Sequence, residues 1–108
     1  MARKKPAPRF KLAALVTVKD LHDAIGSRAV SFDLKSEHPV GANGVVMMGG
    51  SSLGPLTAPS PERSFPAVPL RYVGRTSGSG EYTLRARVGG KTINSTSGEA
   101  PDFFTLEF

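Results

Sequence analysis

Apolar and polar residues alternate in several short runs along this chain. In RAVSFDLK, residues 28 to 35, Val30, Phe32 and Leu34 share one parity, while Ser31, Asp33 and Lys35 share the other. A period of two is the mark of a half-buried strand. FKLAALVTV, residues 10 to 18, gives a second such run, with Phe10, Leu12, Ala14, Val16 and Val18 aligned. Val45 to Met48 and Leu70 to Val73 read as short apolar strands. Residues 77 to 97, SGSGEYTLRARVGGKTINSTS, read as a hairpin. Tyr82, Leu84, Ala86 and Val88 form its inner face, and Glu81, Thr83, Arg85 and Arg87 its outer face. Gly89-Gly90 supplies the positive φ angles that a two-residue turn requires. In the closing DFFTLEF, Phe104, Leu106 and Phe108 share a face and Phe103 takes the other. KDLHDAIG, residues 19 to 26, suits one helical turn stopped by Gly26, or a loop.

Between these runs lies GGSSLGPLTAPSPERSFPAVP, residues 49 to 69, with five prolines. Prolines exclude a central strand over most of it, and the stretch reads as a long irregular loop. Leu53, Leu56 and Phe65 give that loop apolar anchors, and with Phe103 they are the expected subunit contacts. The 12 glycines and 9 prolines of the 108 residues fit a turn-rich β domain. The organisation expected is a flexible basic arm over residues 1 to 9 and a single β domain over residues 10 to 108.

Charge sharpens this picture. Arg3, Lys4, Lys5, Arg9 and Lys11 fall within the first 11 residues, with no acid among them. The rest of the chain holds nine basic and nine acidic residues, so the net charge of +5 resides in the arm. An arm of this kind binds polyanions by releasing counterions. Arg85 and Arg87 on the hairpin's outer face are further candidates for phosphate or an acidic neighbour. No amphipathic helix or lipidation signal marks a membrane contact.

Six or so short strands in about a hundred residues fit an all-β Greek-key sandwich. SGSGEYTLRA resembles the stretch leading into the sixth strand of immunoglobulin-like domains. The resemblance implies that Tyr82 is the corner tyrosine, its hydroxyl bonded to nearby backbone, and that Leu84 stands where a disulfide-bonded member carries its second cysteine. Val30, Phe32 and Leu34 would then lie on the second strand. This chain has no cysteine and no tryptophan.

Candidate chemistry is sparse. Without cysteine there is no disulfide, thiolate metal site or cysteine nucleophile. His22 and His38 lack a recognised metal-ligand spacing, and GANGVVMMGG lacks the lysine and following helix of a phosphate cradle. No cofactor, metal, catalytic set or small-molecule substrate is expected. A neutral β domain with a basic arm and a long loop points to a non-enzymatic structural subunit of a virus or bacteriophage particle (coat, decoration or connector protein), made in the host cytoplasm. Its partners would be protein neighbours, copies of itself or a larger scaffold protein. The alternative is a small cytosolic nucleic-acid-binding protein that uses the arm with Arg85 and Arg87.

Overall fold

The computed structural model describes residues 26 to 108. The expected arm, the expected strand over residues 10 to 18 and most of the expected turn at 19 to 26 lie outside the described residues. The described chain is all-β. Its strands are β1 (Ser27–Lys35), β2 (Gly41–Met48), β3 (Ser51–Ala58), β4 (Ser60–Pro66), β5 (Arg71–Ser77), β6 (Gly80–Val88), β7 (Lys91–Ala100) and β8 (Phe103–Glu107). They form two four-stranded antiparallel sheets, ordered β4-β1-β6-β7 and β3-β2-β5-β8.

The alternation read from the sequence sets the inner faces. Val30 and Phe32 of β1 and Tyr82, Leu84 and Ala86 of β6 are buried on one sheet; Ala42, Val46, Tyr72, Phe104 and Leu106 are buried on the other. Between the sheets the aromatic rings meet edge-on. Phe32 lies 6.2 Å from Phe65, 5.2 Å from Tyr72 and 5.0 Å from Phe108, centroid to centroid, and Tyr72 lies 4.9 Å from Phe104. Each such pair contributes about 0.5–1.5 kcal/mol beyond the area it buries. The buried Tyr72 hydroxyl donates to the Leu56 carbonyl at 2.8 Å, so its polar tip is satisfied inside the core.

The stretch at 49 to 69 is not an irregular loop. It supplies β3 and β4, each an outer strand of its sheet. An edge strand leaves one side of its ladder unpaired, which is where a residue without an N–H can sit. Pro55 in β3 and Pro61 and Pro66 in β4 occupy such strands. The prolines therefore exclude a central strand, as expected, but not a strand. The two proline-bearing edges are tied together where Arg63 Nη1 donates to the Pro55 carbonyl at 3.1 Å. Asn94 ties the opposite flank in a similar way. Its Nδ2 donates to the Glu107 carbonyl at 2.8 Å, and its Oδ1 accepts from the Ser95 N–H at 2.9 Å.

The hairpin turn forms as expected, with φ of 58° at Gly89 and 80° at Gly90. Its return strand β7 runs to Ala100, well beyond Ile93. Two features depart from the immunoglobulin resemblance. In those domains the second strand and the strand bearing the corner tyrosine lie in opposite sheets. Here β1 and β6 are neighbours, with Leu34 opposite Leu84. The Tyr82 hydroxyl donates to a side chain, Asp102 Oδ2 at 2.8 Å, and not to backbone. Asp102 in turn donates its N–H to Thr76 Oγ1 at 2.9 Å, and its carbonyl accepts from the Thr76 N–H at 2.8 Å. This latch joins β6 of one sheet to β5 and the start of β8 in the other. Gly98 faces Tyr82 across the hairpin, and a Cβ there would lie 2.3 Å from Asp102 Oδ2.

Burial, and then Asp102, push the Tyr82 phenol up to about 12. Burial pushes the Tyr72 phenol up to about 12 as well. The fold holds both neutral, so the stability they supply is complete below pH 10.0 and drains away as pH rises toward about 12. Tyr82→Phe leaves the Asp102 carboxylate without this donor and is expected to cost about 1–3 kcal/mol at neutral pH. It is also expected to flatten the alkaline loss of stability. Urea unfolding of both proteins at pH 7 and in the alkaline range reads out both effects.

Candidate contact faces

The two outer faces of the sandwich differ in chemistry. On the sheet β4-β1-β6-β7 the outward residues of β1, β6 and β7 are mostly hydroxylic or charged. Register places Asp33 opposite Arg85 and Thr83 opposite Ser97. Asp33 takes a two-pronged ion pair from Arg85, Nε to Oδ1 at 2.7 Å and Nη2 to Oδ2 at 2.6 Å. Arg87 Nη1 reaches the same Oδ2 at 3.3 Å, and its Nη2 donates to the Gly90 carbonyl. The Arg85 hydrogen bonds hold the Asp33 carboxyl below its usual range, and the Arg85 guanidinium is raised in turn. Arg85 and Arg87 thus share an acidic partner within the chain, Asp33. Both guanidiniums are occupied, and only one of the two positive charges is left uncompensated.

The outer face of β3-β2-β5-β8 is built from three cross-strand rows. Thr57, Asn43, Arg75 and Phe103 form one row; Pro55, Val45, Val73 and Thr105 form the next; Ser52, Met47, Arg71 and Glu107 form the third. Phe103 is 78% exposed, the most exposed large apolar residue described. The Arg75 guanidinium sits 5.3 Å from its ring centroid, a cation–π pair open to solvent. Val45, Val73 and Met47 are half-buried beside it. Arg71 donates to the Gly49 carbonyl at 3.4 Å. Among the described residues the ion pairs all involve Asp33, and neither Arg71 nor Arg75 is bridged to a described carboxylate.

The structure separates the expected contact residues. Leu56 and Phe65 are core residues, 4% and 2% exposed, and Leu53 packs against the same core. Leu56 and Phe65 fold inward because β3 and β4 are strands, whose alternate residues face the other sheet. A register shift in β3 between Ser52 and Pro55 accompanies the inward packing of Leu53, three residues from Leu56. Phe103 remains outside. Tyr82 and Leu84 are buried, and Gly89 and Gly90 make the turn. Arg3, Lys4, Lys5, Arg9, Lys11 and His22 lie outside the described residues. Nothing in the sequence singles out Arg71 and Arg75, and Val45, Met47 and Val73 read there only as members of short apolar strands. Alternation alone could have placed them outward, but only the strand order brings them to one face.

A shallow groove opens at the far end of β1, β6 and β7. It is walled by Ser36 to His38 and rimmed by Glu81 and Glu99, with Lys35 the one cation in its lining. Among the described residues no three metal-binding side chains converge. No family model, curated protein or solved structure matches the chain.

Asp33→Ala is expected to release Arg85 and Arg87 and so to create a polyanion-binding patch. The salt needed to elute the protein from a heparin column should rise. Stability should fall modestly, because the lost pair is two-pronged and only partly buried.

Proposed function

We propose that this chain is a non-enzymatic structural subunit, of the coat, decoration or connector kind, in a virus or bacteriophage particle. The observation that carries the reading is the outer face of β3-β2-β5-β8. An aromatic ring exposed beside a guanidinium, next to a half-buried apolar row, is the composition of a protein contact. The basic residues 3 to 11 add a means of holding nucleic acid or an acidic neighbour. The nucleic-acid-binding alternative would use the same basic residues, with Arg85 and Arg87 partly engaged by Asp33.

A finer reading of the sandwich belongs to the same proposal. The strands β1 and β4 share one sheet, and β3-β2-β5-β8 make the other. This is the division of B and E from C′, C, F and G in Greek-key, immunoglobulin-like domains. The hairpin β6–β7 then takes the side of β1 that the first strand occupies in those domains, and Tyr82 is not the corner tyrosine.

Light scattering after size-exclusion chromatography at low and high salt, with absorbance at 260 and 280 nm, tests the assignment. Discrete oligomers that persist in high salt are expected. A monomer that carries nucleic acid at low salt and sheds it at high salt would overturn the assignment in favour of the binding protein.

A further inference from the structure

We propose that Phe103 and Arg75 of one copy dock into the groove at the end of β1, β6 and β7 of a second copy. The inference rests on the assembly reading and names its contact. The stacked pair is a projecting knob, with the ring in solvent and the guanidinium free of any carboxylate partner among the described residues.

The groove offers what that pair lacks. Glu81 and Glu99 stand directly opposite one another on β6 and β7, and like charges in that position destabilise a sheet. A guanidinium set between them relieves the repulsion and gains two charge-assisted hydrogen bonds. The His38 ring lies over Gly80, so close that a Cβ on Gly80 would fall 2.3 Å from the ring. It gives the groove an aromatic wall for Phe103 to pack against. The wall is held in place. Ser36 Oγ donates to the Glu81 carbonyl at 2.6 Å and accepts from the His38 N–H at 3.1 Å. A preformed groove spares the ordering cost of binding. Knob and groove belong to different sheets, so a copy does not fill its own groove. The contact is therefore heterologous, joining unlike patches, and repeats into a ring or a filament.

Sedimentation velocity on the full chain tests this, using Phe103→Asp as a knob variant and Glu81→Arg with Glu99→Arg as a groove variant. All three positions are exposed strand residues, and circular dichroism checks that each variant folds. Each variant alone is expected to be monomeric, its self-association weakened at least about 30-fold, as for loss of an interface hot spot. Mixed together, they retain one intact knob and one intact groove, and should form a 1:1 complex and nothing larger. Arg75→Glu in the groove variant should restore part of the association by charge exchange. If the wild type forms oligomers and Phe103→Asp leaves them unchanged, the docking inference is overturned and the assembly reading stands. If the wild type is monomeric, or if Phe103→Asp abolishes only the binding of a single-stranded oligonucleotide, the docking inference falls as well.

Discussion

Phe32 touches three other rings at once, and the rest of the molecule is arranged around that contact. A chain of this size, without disulfides, buries a modest fraction of its surface. It must join two sheets by side chains alone. Phe32 and Phe65 come from one sheet, Tyr72 and Phe104 from the other, and Phe108 from the chain end, where a paired backbone contact with Leu70 fixes it. The edge-to-face geometry sets how the sheets meet. The polar latch of Tyr82, Asp102 and Thr76 then closes one end of the sandwich, and Asn94 and Arg63 close its flanks.

Much of this is legible in the sequence, and the reasons are local. Alternation in RAVSFDLK and EYTLRARV identifies the strands and their inner faces, because a period of two is a property of the backbone. Gly89-Gly90 fixes the turn. The parity of DFFTLEF separates Phe103 from Phe104. What the sequence hides is pairing. Prolines 55, 61 and 66 mark edges once the sheet order is known, but in the bare sequence they look like breaks. Leu56 and Phe65 consequently read as outward anchors when they are core. Likewise Asp33 and Arg85 are 52 residues apart, and no local rule joins them.

The candidate faces follow from the same logic. An outward arginine on a strand is a cation of undetermined use until its cross-strand neighbour is known. For Arg85 that neighbour is Asp33, and its charge is largely consumed. For Arg75 it is Phe103 on one side and Asn43 on the other, with no carboxylate partner among the described residues. Whether an outward arginine meets a carboxylate is thus decided by strand order, not by residue type or exposure.

The proline-bearing strands β3 and β4 lie on one flank of the sandwich, linked by Arg63. Proline offers no N–H to an incoming strand, so this flank is a poor template for further sheet growth. β7, ten residues long and free of proline, lies on the other flank, where Asn94 covers only the amide of Ser95 and the carbonyl of Glu107. Among the described residues the sandwich thus has a proline-bearing side and a proline-free side with respect to cross-β pairing. Within the described strands, β7 and β8 are the edges without proline, and the Asn94 contacts lie between them.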